Sequence, residues 1–350
     1  MDRTKLLREL SDSFGVGGFE EETREIIRKY IEGMVDEFYT DRVGNLIALK
    51  RGEGKAKIML DAHSDEVGLI VSHIEKGFIK FTTIGGWDVR ILPGHAVTIK
   101  TRDGRKVRGV IGTIPPHVLP QEERNKPIPL DKLYIDVGAT SQEEIKAKGI
   151  NVGDPAVLHY PLEQIDEDTL MGKAFDDRAG CAVAISVLEK LKNEKLPFDL
   201  YVSFSMGEEL GLRGTRTAAW QIEPDFAIAL EGTIAADTPG IPPEKQPTKL
   251  GKGPAITVAD KSIVVKQEVL RFFENVAEKH NIPYQYKIPT FGGTDAGVIH
   301  LTKSGCKAGV ISTPTRYIHS PLSIMKLSDF NNTVELVYHI LKELDSSGLY

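Results

Sequence analysis

Residues 200–209 read LYVSFSMGEE: six residues suited to a buried β-strand, then Met206 and Gly207, then two carboxylates. Working outward, the same grammar recurs. An apolar helix, Ala179 to Lys192, precedes this strand, and a second buried strand, Phe226 to Leu230, follows it. A helix from Ser262 to His280, a strand from Lys307 to Ser312 and a closing helix from Lys326 to Leu344 complete the run. Strands that alternate with helices predict an α/β fold with a doubly wound, mostly parallel sheet. Residues 1–67 fit the same scheme. A helix over Thr4 to Asp12 leads through Gly15, Gly17 and Gly18 to a helix over Glu20 to Met34, whose Ile26, Ile27, Tyr30, Ile31 and Met34 recur at helical spacing. Strands are expected at Asn45 to Lys50 and Lys57 to Leu60.

Between Gly68 and Tyr160 the texture changes to short β-rich runs, among them GLIVSHI, FIKFTTIG, HAVTIKT and KVRGVIGTI, separated by Gly, Pro and Asp turns. That pattern predicts a small all-β barrel or sandwich. The expected organisation is one α/β domain made of residues 1–67 and 161–350, with a β domain, residues 68–160, inserted in it. A polar, proline-rich loop, Pro115 to Pro129, lies inside the insert and is long enough to suggest a function.

Hydrophobic residues make up 41% of the 350 and charged residues 27%, an ordinary globular balance. The net charge of −6 and the lack of a dense Lys/Arg block argue against nucleic acid and anionic membranes as partners. No stretch approaches the ~20 apolar residues of a membrane helix. The opening MDRTKLLRELSDSFG is charged and helical in pattern rather than a signal peptide, so a cytoplasmic location is expected. Two cysteines, Cys181 and Cys306, stand outside any CxxC spacing, which leaves no thiolate metal site or disulfide framework.

In an open α/β sheet, ligands bind beyond the carboxyl ends of the strands. There the chain delivers a consistent chemistry. Asp61, His63, Asp65 and Glu66 follow KIML; Glu208 and Glu209 follow LYVSFS; Glu231 follows FAIAL; His319 comes shortly after KAGVIS. GKAFDDRAG sets Asp176 and Asp177 at a helix start. Each piece has a plain structural alternative. A Glu-Glu or Asp-Asp pair suits the positive end of a helix dipole, and a single histidine is most often a packing residue. Charges at the ends of successive buried strands are costly unless paired or metal-bound. Two histidines with several carboxylates suit Zn²⁺, Co²⁺ or Mn²⁺. Of the other histidines, only His117, in the proline-rich loop, draws attention.

The stretches MLDAHSDEVG (59–68), IGG (84–86), PPH (115–117), GKAFDDRAG (172–180), GEELGLRG (207–214), ALEGTIAADTPG (229–240), GGTDAG (292–297) and RYIHSP (316–321) run over nearly the whole chain. As a set they resemble the M42 family of metallopeptidases, which includes the tetrahedral (TET) aminopeptidases. The resemblance implies a zinc-peptidase-like fold with an inserted β-barrel or PDZ-like dimerisation domain. It implies two divalent ions per subunit, zinc first and cobalt as the alternative, and hydrolysis of N-terminal residues from peptides. On these positions His63 and Glu231 would hold one metal and His319 and Glu209 the other, with Asp176 between them. Glu208 would be the general base acting on a water shared by the metals. Asp65 would orient His63, a role with its own physical reason. Gly292, Gly293, Thr294 and Asp295 would lie close to substrate, since glycine permits a close backbone approach. Dimers, and a dodecamer with an inner chamber, are implied as the assembly. Familiar aminopeptidases of the family carry Asp where this chain has Glu231, and Met is common where it has Ser64.

Two rival readings use the same residues. A dipeptidase, carboxypeptidase or amino-acid deacylase would share the dinuclear centre, with Glu231 its best support. A non-enzymatic metal-binding scaffold would bind metal without turnover, and Glu208 argues against it. A glycosidase would use a carboxylate pair and no metal set. GxxxxGK[ST] and GxSxG are both absent, which removes nucleotide-binding and serine-hydrolase readings.

Overall fold

The computed structural model describes residues 1–288 and 291–350. An eleven-stranded sheet forms the larger body. Its centre is four parallel strands in the order Asp199–Ser205, Lys57–His63, Phe226–Ile234 and Lys307–Arg316. Almost every residue of these strands is buried, with no alternation, so helices cover both faces. The helix Phe175–Leu191 packs with Arg3–Asp12 and Leu327–Glu343, while Arg213–Ile222 packs with the short helix Ala296–Ile299.

The α/β expectation is met, and the sheet is mixed. Outside the parallel centre, Leu46–Lys50 and Glu37–Thr40 extend one edge antiparallel, and Ser323–Lys326, Thr169–Gly172 and Glu163–Gln164 extend the other. The outermost strand on each side, Glu37–Thr40 and Glu163–Gln164, is joined to its neighbour by a short connection, and such antiparallel neighbours need only a turn between them.

Three element boundaries move in a way that matters. Strands expected to stop at Leu60 and Leu230 run on to His63 and Ile234, so His63 and Glu231 belong to the strands themselves. The helix expected from Ser262 begins only at Gln267. Asp260 is the reason: its Oδ1 accepts the backbone N–H groups of Ser262 and Ile263 at 2.6 and 2.9 Å, and this local turn outcompetes the helix.

The smaller body is a closed barrel of six antiparallel strands. In order round the barrel these are Gly68–Glu75, Phe78–Ile84, Tyr134–Asp136, Lys106–Gly112, Ala96–Lys100 and Pro155–Leu158, which pairs back to the first. Its interior, including Leu69, Ile79, Val97, Ile99, Ile135 and Ala156, is a hydrophobic cluster separate from that of the sheet. Phe14, Val16 and Val157 form a small third cluster where the two bodies meet. There the chain crosses beside Glu66, which bridges to Val16. No described helix is long and apolar enough to cross a membrane.

Candidate metal centre

Strand register brings the candidate residues together. His63 ends its strand directly beside Ser205, and Glu208 and Glu209 follow in the turn after that residue. Glu231 lies on the neighbouring parallel strand. Asp176 and Asp177 have non-helical backbone at the front of the Phe175–Leu191 helix, and the peptide between them is cis. The two aspartates divide the alternatives set by the sequence. Asp177 caps the helix, its Oδ1 accepting the Gly180 N–H at 2.9 Å. Asp176 points out to the histidines.

The Asp176 carboxylate spans the site. Its Oδ1 lies 3.2 Å from His63 Nε2 and its Oδ2 3.3 Å from His319 Nε2. Glu231 Oε2 and Glu208 Oε2 lie 3.8 and 3.9 Å from His63 Nε2, and Glu209 Oε1 lies 3.0 Å from His319 Nε2. Three groups of donors converge within 4.8 Å: His63 with Asp176 and Glu231, His319 with Asp176 and Glu209, and His63 with Glu208 and Glu209. Bonds of about 2.1 Å in a tetrahedral site put neighbouring donors roughly 3.4 Å apart, so these spacings suit a first-row divalent cation.

The electrostatics agree with that fit. Burial pushes Glu208 and Glu231 well above the usual carboxylate range, with Asp295 and Asp177 adding to the effect. Burial also raises Glu209. For His63, burial opposes the charged ring, but hydrogen bonding to Asp176 and Asp65 outweighs it and lifts the group well above its usual range. His319 rises to about 11 in the same contest, through Asp176 and Glu209. Asp176 is held low against burial by the two imidazoles. Burial holds protons on the glutamates, and the anionic neighbours hold positive charge on the two imidazoles, while Asp176 between them stays ionised.

His319 adopts a left-handed backbone, φ 54°, which costs a non-glycine residue about 1–3 kcal/mol. Its Nδ1 lies 2.9 Å from the Gly86 carbonyl, which fixes Nε2 toward Asp176. Gly86 belongs to the IGG stretch after the barrel strand Phe78–Ile84, so the segment following that strand reaches the metal centre. A side chain at Gly85 would come within 2.6 Å of Val67 and 3.1 Å of Glu209 Oε2. His117 lies in a 3-10 turn, Pro116–Val118, away from these donors.

A cavity of about 530 Å³ opens over the centre, lined by Asp176, Glu208, Glu209, Glu231 and His319 at one end. Gly292, Gly293 and Thr294 line it too. Asp295, grouped with them in the sequence, does not: it is 1% exposed and its Oδ2 accepts the Ser205 hydroxyl at 3.0 Å.

The model of the M42 glutamyl aminopeptidase family matches residues 44–336. The chain belongs to the M42 family. This M42 peptidase is a metallo-aminopeptidase, and its family uses divalent metal. It is similar to a TET aminopeptidase from a marine sediment Thaumarchaeota archaeon, with 40% identity, 98% and 96% of the two chains covered and a TM-score of 0.95. The TET1 peptidase of Pyrococcus horikoshii, described as assembling into a tetrahedron or a large octahedral shell, has 31% identity, 97% and 99% coverage and a TM-score of 0.87. The lysyl aminopeptidase of Pyrococcus furiosus is 32% identical over 347 residues, 97% of each chain.

Around the donors, the M42 peptidase carries support that strand-end reading does not reveal. Asp65 Oδ1 and Oδ2 accept the backbone N–H groups of Glu208 and Glu209 at 3.0 and 3.2 Å, and Oδ1 lies 3.3 Å from His63 Nδ1. One carboxylate therefore fixes both the turn and the imidazole. Asp61 accepts the Thr215 hydroxyl at 3.1 Å. Glu66 is buried with Lys173, at 2.8 and 2.7 Å, and Arg178, at 3.2 Å. Lys173 and Arg178 also hold the carbonyls of Ser13 and Leu10, at 2.9 and 2.7 Å, which locks the first helix beside Asp176.

Removing one member of such a group strands the rest. Glu66→Gln leaves two buried cations without an anion and should lower stability by about 3–5 kcal/mol. Adding Lys173→Met to it should recover part of the loss. Urea unfolding of the parent and both variants checks this; a Glu66→Gln protein within about 1 kcal/mol of the parent contradicts it.

Proposed function

We propose that the chain is a two-metal aminopeptidase that removes N-terminal residues from peptides. The supporting observation is the Asp176 carboxylate, one oxygen facing each of two imidazoles. In this reading His63 and Glu231 would hold one ion, His319 and Glu209 the other, with Asp176 available to both. Zinc suits the nitrogen and oxygen donors, and cobalt is the alternative. When bound, the two ions supply Lewis acidity that lowers the pKa of a water and polarises the scissile carbonyl.

Glu208 is the general base. Its side chain is 14% exposed, against 5% for Glu209 and 6% for Glu231, so it is the carboxylate most open to the cavity. Burial keeps its proton affinity high, as a shuttle requires. It takes a proton from the attacking water and hands it to the leaving amine. Asp65 holds Glu208 and His63 in place through the contacts above. The substrate's free amine would bind at the metal centre, which selects a free N-terminus. Gly292, Gly293 and Thr294 flank the substrate backbone.

Residues 68–160, which contain the barrel, are proposed as the dimerisation domain, with dimers building a tetrahedral dodecamer in the cytoplasm. The likeness to the P. horikoshii peptidase over 97% of this chain supports that reading. Light scattering at micromolar concentration should give twelve subunits; a monomer rules out the assembly, and a stable dimer rules out only its higher order.

Glu208→Gln keeps the shape and removes the base. Its kcat on aminoacyl-p-nitroanilides should fall by roughly 10²–10⁴ with metal content retained. Glu209→Gln should instead lose metal. Turnover beside elemental analysis of both variants is the test. Near-normal turnover of a fully loaded Glu208→Gln enzyme would refute the base, and the opposite pattern of metal loss would exchange the two roles.

A further inference from the structure

His319 stands on the connection 317–322, between the strands Lys307–Arg316 and Ser323–Lys326, which pair antiparallel at Thr315 with Met325 and at Arg316 with Ile324. The connection carries two left-handed residues, Tyr317 at φ 61° and His319 at φ 54°. Neither is glycine, so both conformations persist only where the surroundings over-determine them. The Ser323 hydroxyl closes the connection from one side, donating to the Tyr317 carbonyl at 2.9 Å. Arg316 closes the other, its Nε and Nη2 donating to Asp237 Oδ1 and Oδ2 at 2.8 and 2.7 Å. The Leu250 N–H donates to Asp237 Oδ2 at 3.3 Å, so the acceptor is itself held. Neither Asp237 nor Arg316 is among the converging metal donors. Their side chains are 18% and 30% exposed, where a single ion pair adds little to stability. What the pair supplies is geometry, since a planar fork on a carboxylate fixes direction as well as distance.

We propose that Asp237 is a positioning residue for one metal of the pair. Through Arg316 it holds the connection in the shape that aims His319, and so sets the affinity of the ion at His319 and Glu209 while leaving the ion at His63 and Glu231 unaffected. This rests on the two-metal reading above. The other donors have supports of their own. His63 ends its strand beside Ser205, and Glu231 lies inside its strand beside Ser312. Asp65 holds the backbone of Glu209. His319 lies three residues past Arg316, beyond the end of the strand. The Gly86 carbonyl turns its ring but does not set where its backbone runs.

The test is calorimetric titration of metal-stripped, full-length protein with zinc, which reads each ion without reference to turnover. The parent should take up two ions. Asp237→Asn and Arg316→Met should each weaken one of them by roughly 10- to 100-fold, the usual effect of losing a group that orients a ligand, and leave the other at parent affinity. The two changes together should cost no more than either alone, because they remove one interaction. Arg316→Lys keeps the charge without the fork and should shift the same ion by less. His319→Ala assigns the ion: it should abolish one binding event, and Asp237→Asn added to it should leave the remaining event unchanged. A merely structural role would weaken both ions together, and that result overturns the proposal. So does parent affinity for both ions in Asp237→Asn and Arg316→Met, or a loss that Asp237→Asn still inflicts in the His319→Ala background. If those two variants do not fold, Arg316→Lys decides by the same criterion: a shift confined to one ion supports the proposal, and a shift of both or of neither overturns it. A parent that binds a single ion overturns the two-metal reading and this one with it; a parent that binds two, with variants that match it, overturns this one alone.

Discussion

The contact of one carboxylate, Asp176, with two imidazoles at 3.2 and 3.3 Å fixes the spacing of everything else in the site. Glu208, Glu209 and Glu231 gather round that axis in a buried pocket. Two like charges 4 Å apart repel by about 4 kcal/mol at an effective dielectric near 20. A protein would not assemble such a group by packing alone. It becomes reasonable when the site's partner is a pair of cations, since each carboxylate then has an attraction that outweighs its neighbours.

The scaffold's part is to hold the donors before any ion arrives. Parallel strands do this by their register: His63 lies beside Ser205, and Glu231 beside Ser312. Asp65 ties the turn at Glu208 and Glu209 to the His63 ring. Gly232 allows a close approach, because a side chain there would come within 2.9 Å of the Asp176 backbone. On the other side the carbonyl of Gly86, in the segment after a barrel strand, orients His319. The second body is therefore tied to the chemistry through this contact, whatever further role it has in assembly.

Much of this was legible in the chain. LYVSFS, FAIAL and KAGVIS mark buried strands by composition, and the acidic or histidine residues after them mark one edge. Short β-runs between Gly, Pro and Asp turns mark the insert as a barrel or a sandwich, and the pairing of its first and last strands decides for the barrel. What could not be read depends on pairings distant in sequence. Lys173 meets Glu66 across 107 residues and His319 meets Gly86 across 233. Asp295 looks like part of a substrate loop because GGTDAG is continuous, yet its side chain turns inward to Ser205. The antiparallel sheet edges were also hidden, since strand direction is set by connections and not by composition.

The family establishes metal use, and the geometry argues for two ions divided by Asp176. Diffraction at the zinc absorption edge from crystals of zinc-saturated protein tests that directly. Two anomalous peaks should lie on opposite sides of the Asp176 carboxylate, one against His63 and Glu231 and one against His319 and Glu209. A single peak, or peaks that leave Asp176 uncoordinated, would contradict the account.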